Sequence, residues 1–369
     1  MQRKHVFIQN IPFFQGRQKR IEVSSVSAGD KIHSDVLNPC TWPLWCRLLL
    51  SAACSTISGR FTYFEYSVYH HLSIFFLGGG GNGPCQKNEV IDIKGQEPCL
   101  LPDFQPSNFQ VLAGVLTFTA GDNKMITCGA YNGLISFNQC FELDVPNKSW
   151  KNHSDFSDHY MGNVADVTMP NGLYFLGGDY GGWNSAFLPA YSNVWEEGID
   201  CPMCKDGNGG ACAVKISDEE FVMIGGWIFS DLISKYNIVS GLWTTIGHLT
   251  FPRSYHTCVF KNGGVMVIAG SDSDGPVLTT ELINVSDGTS RNVGDLNIDR
   301  KSTEAVIIQN TVMILGGHDA NPQQDGSIEI WNEEEETWTL AEFSLKNPRR
   351  QLDTLVVPRK MACSTGSGN

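Results

Sequence analysis

The chain has 369 residues and is 41% hydrophobic, which suffices for a large core and excludes both a disordered chain and a small peptide scaffold. It carries 26 Lys and Arg against 39 Asp and Glu, a net charge of −13, which repels phosphate backbones and anionic lipid and argues against nucleic-acid binding. The 38 glycines, with no long Ala/Leu/Glu/Lys stretch, exclude an all-helical protein.

Charge sets a first boundary. Residues 1–70 hold eight basic and four acidic side chains, whereas 71–369 hold 18 basic and 35 acidic. The apolar run Trp42–Ala53 is shorter than the ~20 residues of a spanning helix and contains Pro43 and Arg47, so no membrane span is expected. The start, MQRKHVFIQNIPFF, is basic, but Gln9 and Asn10 break its apolar run, which makes a poor secretory signal. Leu44–Gly59 has a more signal-like make-up and lies too deep to act as one. Residues 1–70 therefore read as a poorly ordered N-terminal extension. The alternative is that the natural mature protein begins elsewhere.

From residue 72 one pattern recurs: four or five apolar residues, then two small ones. It reads SIFFLGG, KMITCGA, LYFLGG, FVMIGG, VMVIAG and VMILGG, with first small residues Gly78, Gly129, Gly177, Gly225, Ala269 and Gly316. Their spacings of 51, 48, 48, 44 and 47 define a repeat. A variable loop follows, then a second apolar run: EVIDI (89–93), CFELDV (140–145), LISKYNI (232–238), ELINV (281–285) and IEIW (328–331). Four copies add a tryptophan after a polar turn: Trp150, Trp195, Trp243 and Trp338. A further strand, such as PRSYHTCVF (252–260), opens the next copy. Short β-branched runs bounded by Gly, Asn, Asp and Pro predict four strands per repeat.

Such small sheets cannot bury both faces alone, and packing them radially does so, which predicts an all-β propeller. Paired glycines let a strand end turn sharply or approach a neighbouring backbone. The tryptophans are expected to fill the gaps between blades. The apolar run, Gly-Gly, variable loop and spaced Trp resemble the kelch repeat, and Arg253 and His256 look like the polar start of a kelch unit. The resemblance covers about residues 72–358. The first and fifth copies lack the tryptophan, and Ala130 and Ala269 each replace a glycine. NPRRQLDTLVVP (347–358) looks like an opening strand with no Gly-Gly run after it, while the first copy lacks such a strand. Residues 348–358 are therefore expected to be the inner strand of the first blade, closing a six-bladed ring over 71–358, with 359–369 a disordered tail. An open or seven-bladed ring using RFTYFEYSVYHH (60–71) is the alternative.

The chain has 12 cysteines. Cys128 and Cys140 flank a predicted loop between adjacent strands, close enough across an antiparallel pair for a disulfide. Cys212 and Cys258 fall in inner strands and read as buried free thiols. Sequons stand at Asn147, Asn152 and Asn284, which are possible glycosylation sites, and with the cysteines they predict an extracellular protein. A cytoplasmic protein is the alternative. Cys201-x-x-Cys204 is half of a zinc site without its second half, and Asp272, Asp274 and Gly275 lack the third ligand of a calcium loop, so no metal is expected. GGGGNG (78–83) has no GK[ST] after it, and neither G-x-S-x-G nor H-E-x-x-H occurs. No catalytic residue and no cofactor are expected.

What remains is the face formed by the loops after the small pairs. Tyr131, Phe137, Tyr180, Trp183 and Trp227 stand there with Asp231 and Asp319. Large aromatics on exposed loops are typical of binding hot spots. The expected function is non-catalytic binding of a protein through this face, with Trp183 and Trp227 as anchors. Acidic loop residues, Asp179 included, favour a basic or polar-aromatic ligand. What the resemblance implies includes two alternatives: a galactose-oxidase-like enzyme, whose Tyr, Cys and His ligands cannot be assigned here, and a substrate adaptor of a ubiquitin ligase.

Overall fold

A computed structural model of the chain describes residues 72–77, 89–95, 99, 116–120, 124–131, 136–144, 147, 149–153, 163–178, 185–190, 192–317 and 326–358. The expected N-terminal extension and C-terminal tail lie outside these residues. The described part is all-β apart from one 3-10 turn, Pro202–Cys204.

Five antiparallel sheets have four strands each. The first described strands are β1 (Leu72–Leu77) and β2 (Glu89–Ile91); blade 1 follows as β3 (Leu116–Ala120), β4 (Lys124–Tyr131), β5 (Ser136–Asp144) and β6 (Ser149–Asn152). Blade 2 is β7 (Ala165–Met169), β8 (Gly172–Leu176), β9 (Ser185–Pro189) and β10 (Glu196–Glu197). Blade 3 is β11 (Cys212–Lys215), β12 (Glu220–Ile224), β13 (Leu232–Asn237) and β14 (Leu242–His248). Blade 4 is β15 (Thr257–Lys261), β16 (Gly264–Ile268), β17 (Thr280–Asn284) and β18 (Ser290–Asn292). Blade 5 is β19 (Glu304–Ile308), β20 (Thr311–Leu315), β21 (Ile328–Asn332) and β22 (Thr337–Leu340). In all five the strands pair in chain order.

The sixth sheet closes the ring. The last strand, β23 (Asp353–Pro358), pairs antiparallel with β1 from Leu72↔Pro358 to Leu77↔Asp353, and β2 pairs with the other edge of β1. The C-terminal strand thus supplies the inner strand of the first sheet, as its sequence predicts. Six equal blades do not form, however: five are four-stranded, and the closing sheet has three strands among the described residues. The sequence after β2 gives a reason. It carries Pro98 and Pro102, which have no N–H to donate to a ladder, and it lacks the repeat's tryptophan.

The core lies between the sheets. The second strands β8 and β16 are buried at every position because both faces are covered, and so they read as unbroken apolar runs. Ile126 and Cys140 of blade 1 pack on Phe175 and Trp195 of blade 2. Tyr174 and Leu176 meet Phe221 and Met223 of blade 3, and Ile224 and Ile233 meet Val265 and Val267 of blade 4. Met266 and Ile268 meet Ile314 and Trp338 of blade 5, and Leu315 meets Ile91 and Leu352 of the closing sheet. The tryptophans do bridge sheets: Trp338 Nε1 donates to Thr280 Oγ1 of blade 4 at 2.9 Å.

The small pairs behave as expected. Gly225 and Gly226 have φ of +63° and +106°. A Cβ on Gly225 would stand 2.7 Å from the Arg253 carbonyl oxygen, and one on Gly226 would stand 2.5 Å from Asn208 Oδ1. In blade 4 Ala269 takes the same left-handed turn at φ +64°, at a cost of about 1–2 kcal/mol relative to an unstrained backbone.

Candidate functional site

The connections that lead from an outer strand back to the next inner strand build one face of the ring. Three of them carry the same buried ion pair. Arg253 Nη2 lies 2.7 Å from Glu281, Arg300 Nη2 lies 3.0 Å from Glu329, and Arg349 Nη2 lies 3.5 Å from Glu89, with every one of these side chains nearly inaccessible to solvent. The carboxylates do more than pair. Glu281 accepts from the Thr250 and Phe251 amides, Glu329 from Asn297 and Ile298, and Glu89 from Lys346 and Asn347. The guanidinium groups also read the small-residue pair: Arg253 donates to the Ala269 carbonyl at 3.1 Å, and Arg300 to the Gly316 carbonyl at 2.8 Å. Burial lowers the Arg253 pKa and the Glu281 charge opposes that shift. The basic start of the repeat, legible at Arg253, is thus half of a device whose acidic half went unread. Those glutamates stand at or near the head of EVIDI, ELINV and IEIW, and Glu281 and Glu329 follow their arginines by 28 and 29 residues, a signal the sequence offered.

Just past these arginines, a belt of hydrogen bonds runs around the ring. Gly210 N–H donates to the Asn163 carbonyl at 2.9 Å, Tyr255 to Gly210 at 2.7 Å, Ser302 to Tyr255 at 2.9 Å, and Gln351 to Ser302 at 2.9 Å. The Gln351 side-chain amide returns to Asn163 Oδ1 at 3.2 Å. All five residues have positive φ, between +49° and +70°. Gly210, Tyr255 and Ser302, each left-handed before an inner strand, turn the N–H toward one neighbour and the carbonyl toward the other. Four of the five are not glycine, so the bonds around the belt offset the backbone cost.

Trp227 stands over this belt. It is 49% exposed, and its ring packs edge-on against Tyr255 at 5.5 Å between centroids. Its loop is fixed from three sides. Trp227 N–H donates to the Gly209 carbonyl at 3.0 Å, Gly226 N–H to the Arg253 carbonyl at 3.1 Å, and Arg253 N–H to the Ser230 carbonyl at 2.7 Å. The fully buried Asn208 accepts from the Ile228 amide at 2.8 Å and donates to the carbonyls of Met203 and Gly225. Nothing in the sequence marked Asn208, because its role depends on two loops that meet only in the folded ring. Ile228 at 51% and Phe251 at 38% are exposed on the connections around it.

Other expected residues fare differently. Asp231 is half-exposed, and His248 Nδ1 lies 3.0 Å from its carboxylate, so it does not act as an isolated negative charge. Tyr131 and Phe137 lie on β4 and β5, because the ladder resumes beyond a bulge between Cys128 and Ala130 and shortens the expected loop. Tyr180, Trp183 and Asp319, with Asp179, lie outside the described residues. His256 is buried, its pKa pushed down to about 3 by desolvation and by the Arg253 charge, so it is a neutral structural imidazole at pH 7. Asn147 is exposed and donates to Asp144 in a turn, Asn152 is exposed on β6, and Asn284 caps the turn at Ser286.

Cys128 and Cys140 are bridged, at a Cα separation of 4.1 Å. Cys212 and Cys258, expected as free thiols, are also bridged, at 6.1 Å. They belong to β11 and β15, adjacent inner strands whose edges a linear reading could not bring together. The Cys201-x-x-Cys204 pair forms a disulfide as well. Among the described residues, no three His, Cys, Asp or Glu side chains converge as a metal site, and no helix is long and apolar enough to cross a membrane.

With a closed ring of repeats and the buried arginines in place, residues 299–342, which run from the approach to blade 5 through its outer strand, match the Kelch motif family. The chain carries a kelch motif within its propeller. It is 25% identical over 150 residues to alpha-scruin of Limulus polyphemus, covering 39% of this chain and 15% of that one. It is 29% identical over 123 residues to an F-box/kelch-repeat protein of Arabidopsis thaliana, covering 32% and 25%. Beta-scruin of Limulus polyphemus is 22% identical over 116 residues. These matches span a quarter or less of each relative. The extracellular expectation does not stand: these kelch-repeat relatives are cytoplasmic proteins, which fits the cytoplasmic alternative.

Proposed function

We propose that this kelch-repeat ring is a protein-interaction module without catalytic chemistry, and that its partner docks on the face around Trp227. The observation that carries the reading is a half-exposed tryptophan held on a loop already fixed by Asn208, Gly209 and Arg253. An anchor ordered before binding loses little entropy on docking, and exposed Ile228 and Phe251 extend the apolar area beside it. Trp183, in the equivalent loop of the preceding repeat, is the proposed second anchor. Asp179 and Asp319, in corresponding loops, favour a partner segment with basic or polar-aromatic side chains. The likeness to an F-box/kelch-repeat protein supports a second reading, in which the same face presents a substrate as an adaptor does.

The test is the affinity of a partner recovered by proximity labelling for Trp227→Ala and for Val239→Ala, a change at an exposed turn on the opposite face. Loss of a central anchor costs about 2 kcal/mol or more, roughly thirtyfold in Kd. Trp227→Ala should show that loss and Val239→Ala should not. Unchanged binding by Trp227→Ala with loss in opposite-face variants overturns the reading.

A further inference from the structure

The face away from Trp227 holds a different feature. Between blades 4 and 5, beneath the turns β15–β16, β17–β18 and β21–β22, lies a cleft of about 510 Å³. Its floor includes Met266, Leu282, Val293 and Trp331. Its wall carries two cations of blade 4, Lys261 and Arg291, and two carboxylates of blade 5, Glu333 and Glu336.

The four charges are not equivalent. The Lys261 side chain is only 6% exposed, whereas that of its partner Glu333 is 53% exposed. Asn262 Nδ2 also donates to Glu333, at 2.5 Å. Arg291 grips Glu336 with both Nη atoms, at 2.9 and 2.5 Å, and both of those side chains are about half-exposed. A buried ammonium needs a counter-charge, while a half-exposed glutamate can return to water at little cost. The cation is therefore fixed in the cleft wall and the anion facing it is exchangeable. The size, the apolar floor and a few polar groups at one end fit a small-molecule site.

We infer that this cleft binds a small amphipathic organic anion, with a flat apolar body on Trp331, Met266 and Leu282 and a carboxylate head that replaces Glu333 at Lys261 and Glu336 at Arg291. The glutamate turn then acts as the competitor that the ligand displaces.

The test uses 1-naphthoate as probe, titrated calorimetrically into the full chain, with acetate and 1-naphthylmethylamine as controls. The wild-type chain should bind naphthoate and show no measurable uptake of acetate or the amine at the same concentrations. Glu333→Gln removes the competitor and should tighten naphthoate binding three- to tenfold. Lys261→Met should weaken it at least tenfold. Arg291→Gln, at an exposed position that does not threaten folding, should weaken it severalfold. The inference is overturned if the folded wild-type chain takes up no naphthoate at millimolar concentration. It is also overturned if Glu333→Gln weakens binding, if Arg291→Gln leaves it unchanged, or if the amine binds as tightly as the acid. None of these readings involves the Trp227 face, so their failure leaves the protein-docking proposal standing.

Discussion

Blades 4 and 5 and the closing sheet are fastened differently from blades 1, 2 and 3. In the first group the third strand carries Glu281, Glu329 or Glu89, opposite Val267, Ile314 or Phe76 of the second strand. The equivalent residues of the other group are Phe141, Ala186 and Ser234, opposite Thr127, Phe175 and Met223. Blades 1 and 3 carry cystines instead: Cys128–Cys140 within blade 1, Cys201–Cys204 on the path into blade 3, and Cys212–Cys258, which joins β11 of blade 3 to β15 of blade 4. The lesson is that each sheet must tie the connection that leads into its inner strand from the preceding outer strand. That connection crosses the end of a sheet with amide groups no ladder can satisfy. A buried carboxylate takes two of those amides and an arginine at once. On the path into blade 3 the Cys201–Cys204 bond ties the chain directly and asks for no polar network.

The comparison is most sharply tested by breaking one ion pair. Arg300→Met leaves Glu329 buried without its cation and should cost about 3–5 kcal/mol, measured by urea unfolding. The double variant Arg300→Met/Glu329→Leu should recover part of that loss. A cost below 1 kcal/mol for the single change would remove the ion pairs from their fastening role. A smaller effect is expected at the boundary between the two groups. Cys212→Ser with Cys258→Ser should cost about 2–4 kcal/mol, and hydrogen exchange should localise the loosening to β11 and β15. Loosening spread evenly over blades 4 and 5 would show that the two groups are not separate.

The smallest effect concerns acid. His256 stays neutral in the fold to about pH 3, while in the unfolded chain it protonates near 6.5. The unfolded state therefore binds the extra proton between those values, and stability falls as pH drops through that window. Between pH 6 and pH 4.5 this contributes about 2 kcal/mol of loss. His256→Phe should lose correspondingly less stability over that interval, read from melting temperatures. Equal acid slopes for the variant and wild type would place the His256 protonation equilibrium elsewhere.

Periodicity made the ring legible because a strand buried on both faces must be apolar throughout, as LYFL, VMVI and VMIL are. The Cys128–Cys140 bridge was legible because both residues stand in neighbouring strands of one repeat. The closing strand was legible because an opening motif at 347–358 lacked its continuation. The glutamates were overlooked because each stands at or near the head of an apolar run and looks like a strand boundary. Their partners lie up to 260 residues away, as Arg349 does from Glu89.

The sequence by itself determined the repeat, the strand order within each copy and the closure, because these follow from local alternation of apolar runs, small pairs and turns. Only the tertiary structure decided the three described strands of the closing sheet, the Cys212–Cys258 bond, the belt from Asn163 to Gln351 and the exposure of Trp227. Each of these is set by which repeat lies beside which, and a contact between neighbouring blades has no fixed separation along the chain from which to read it.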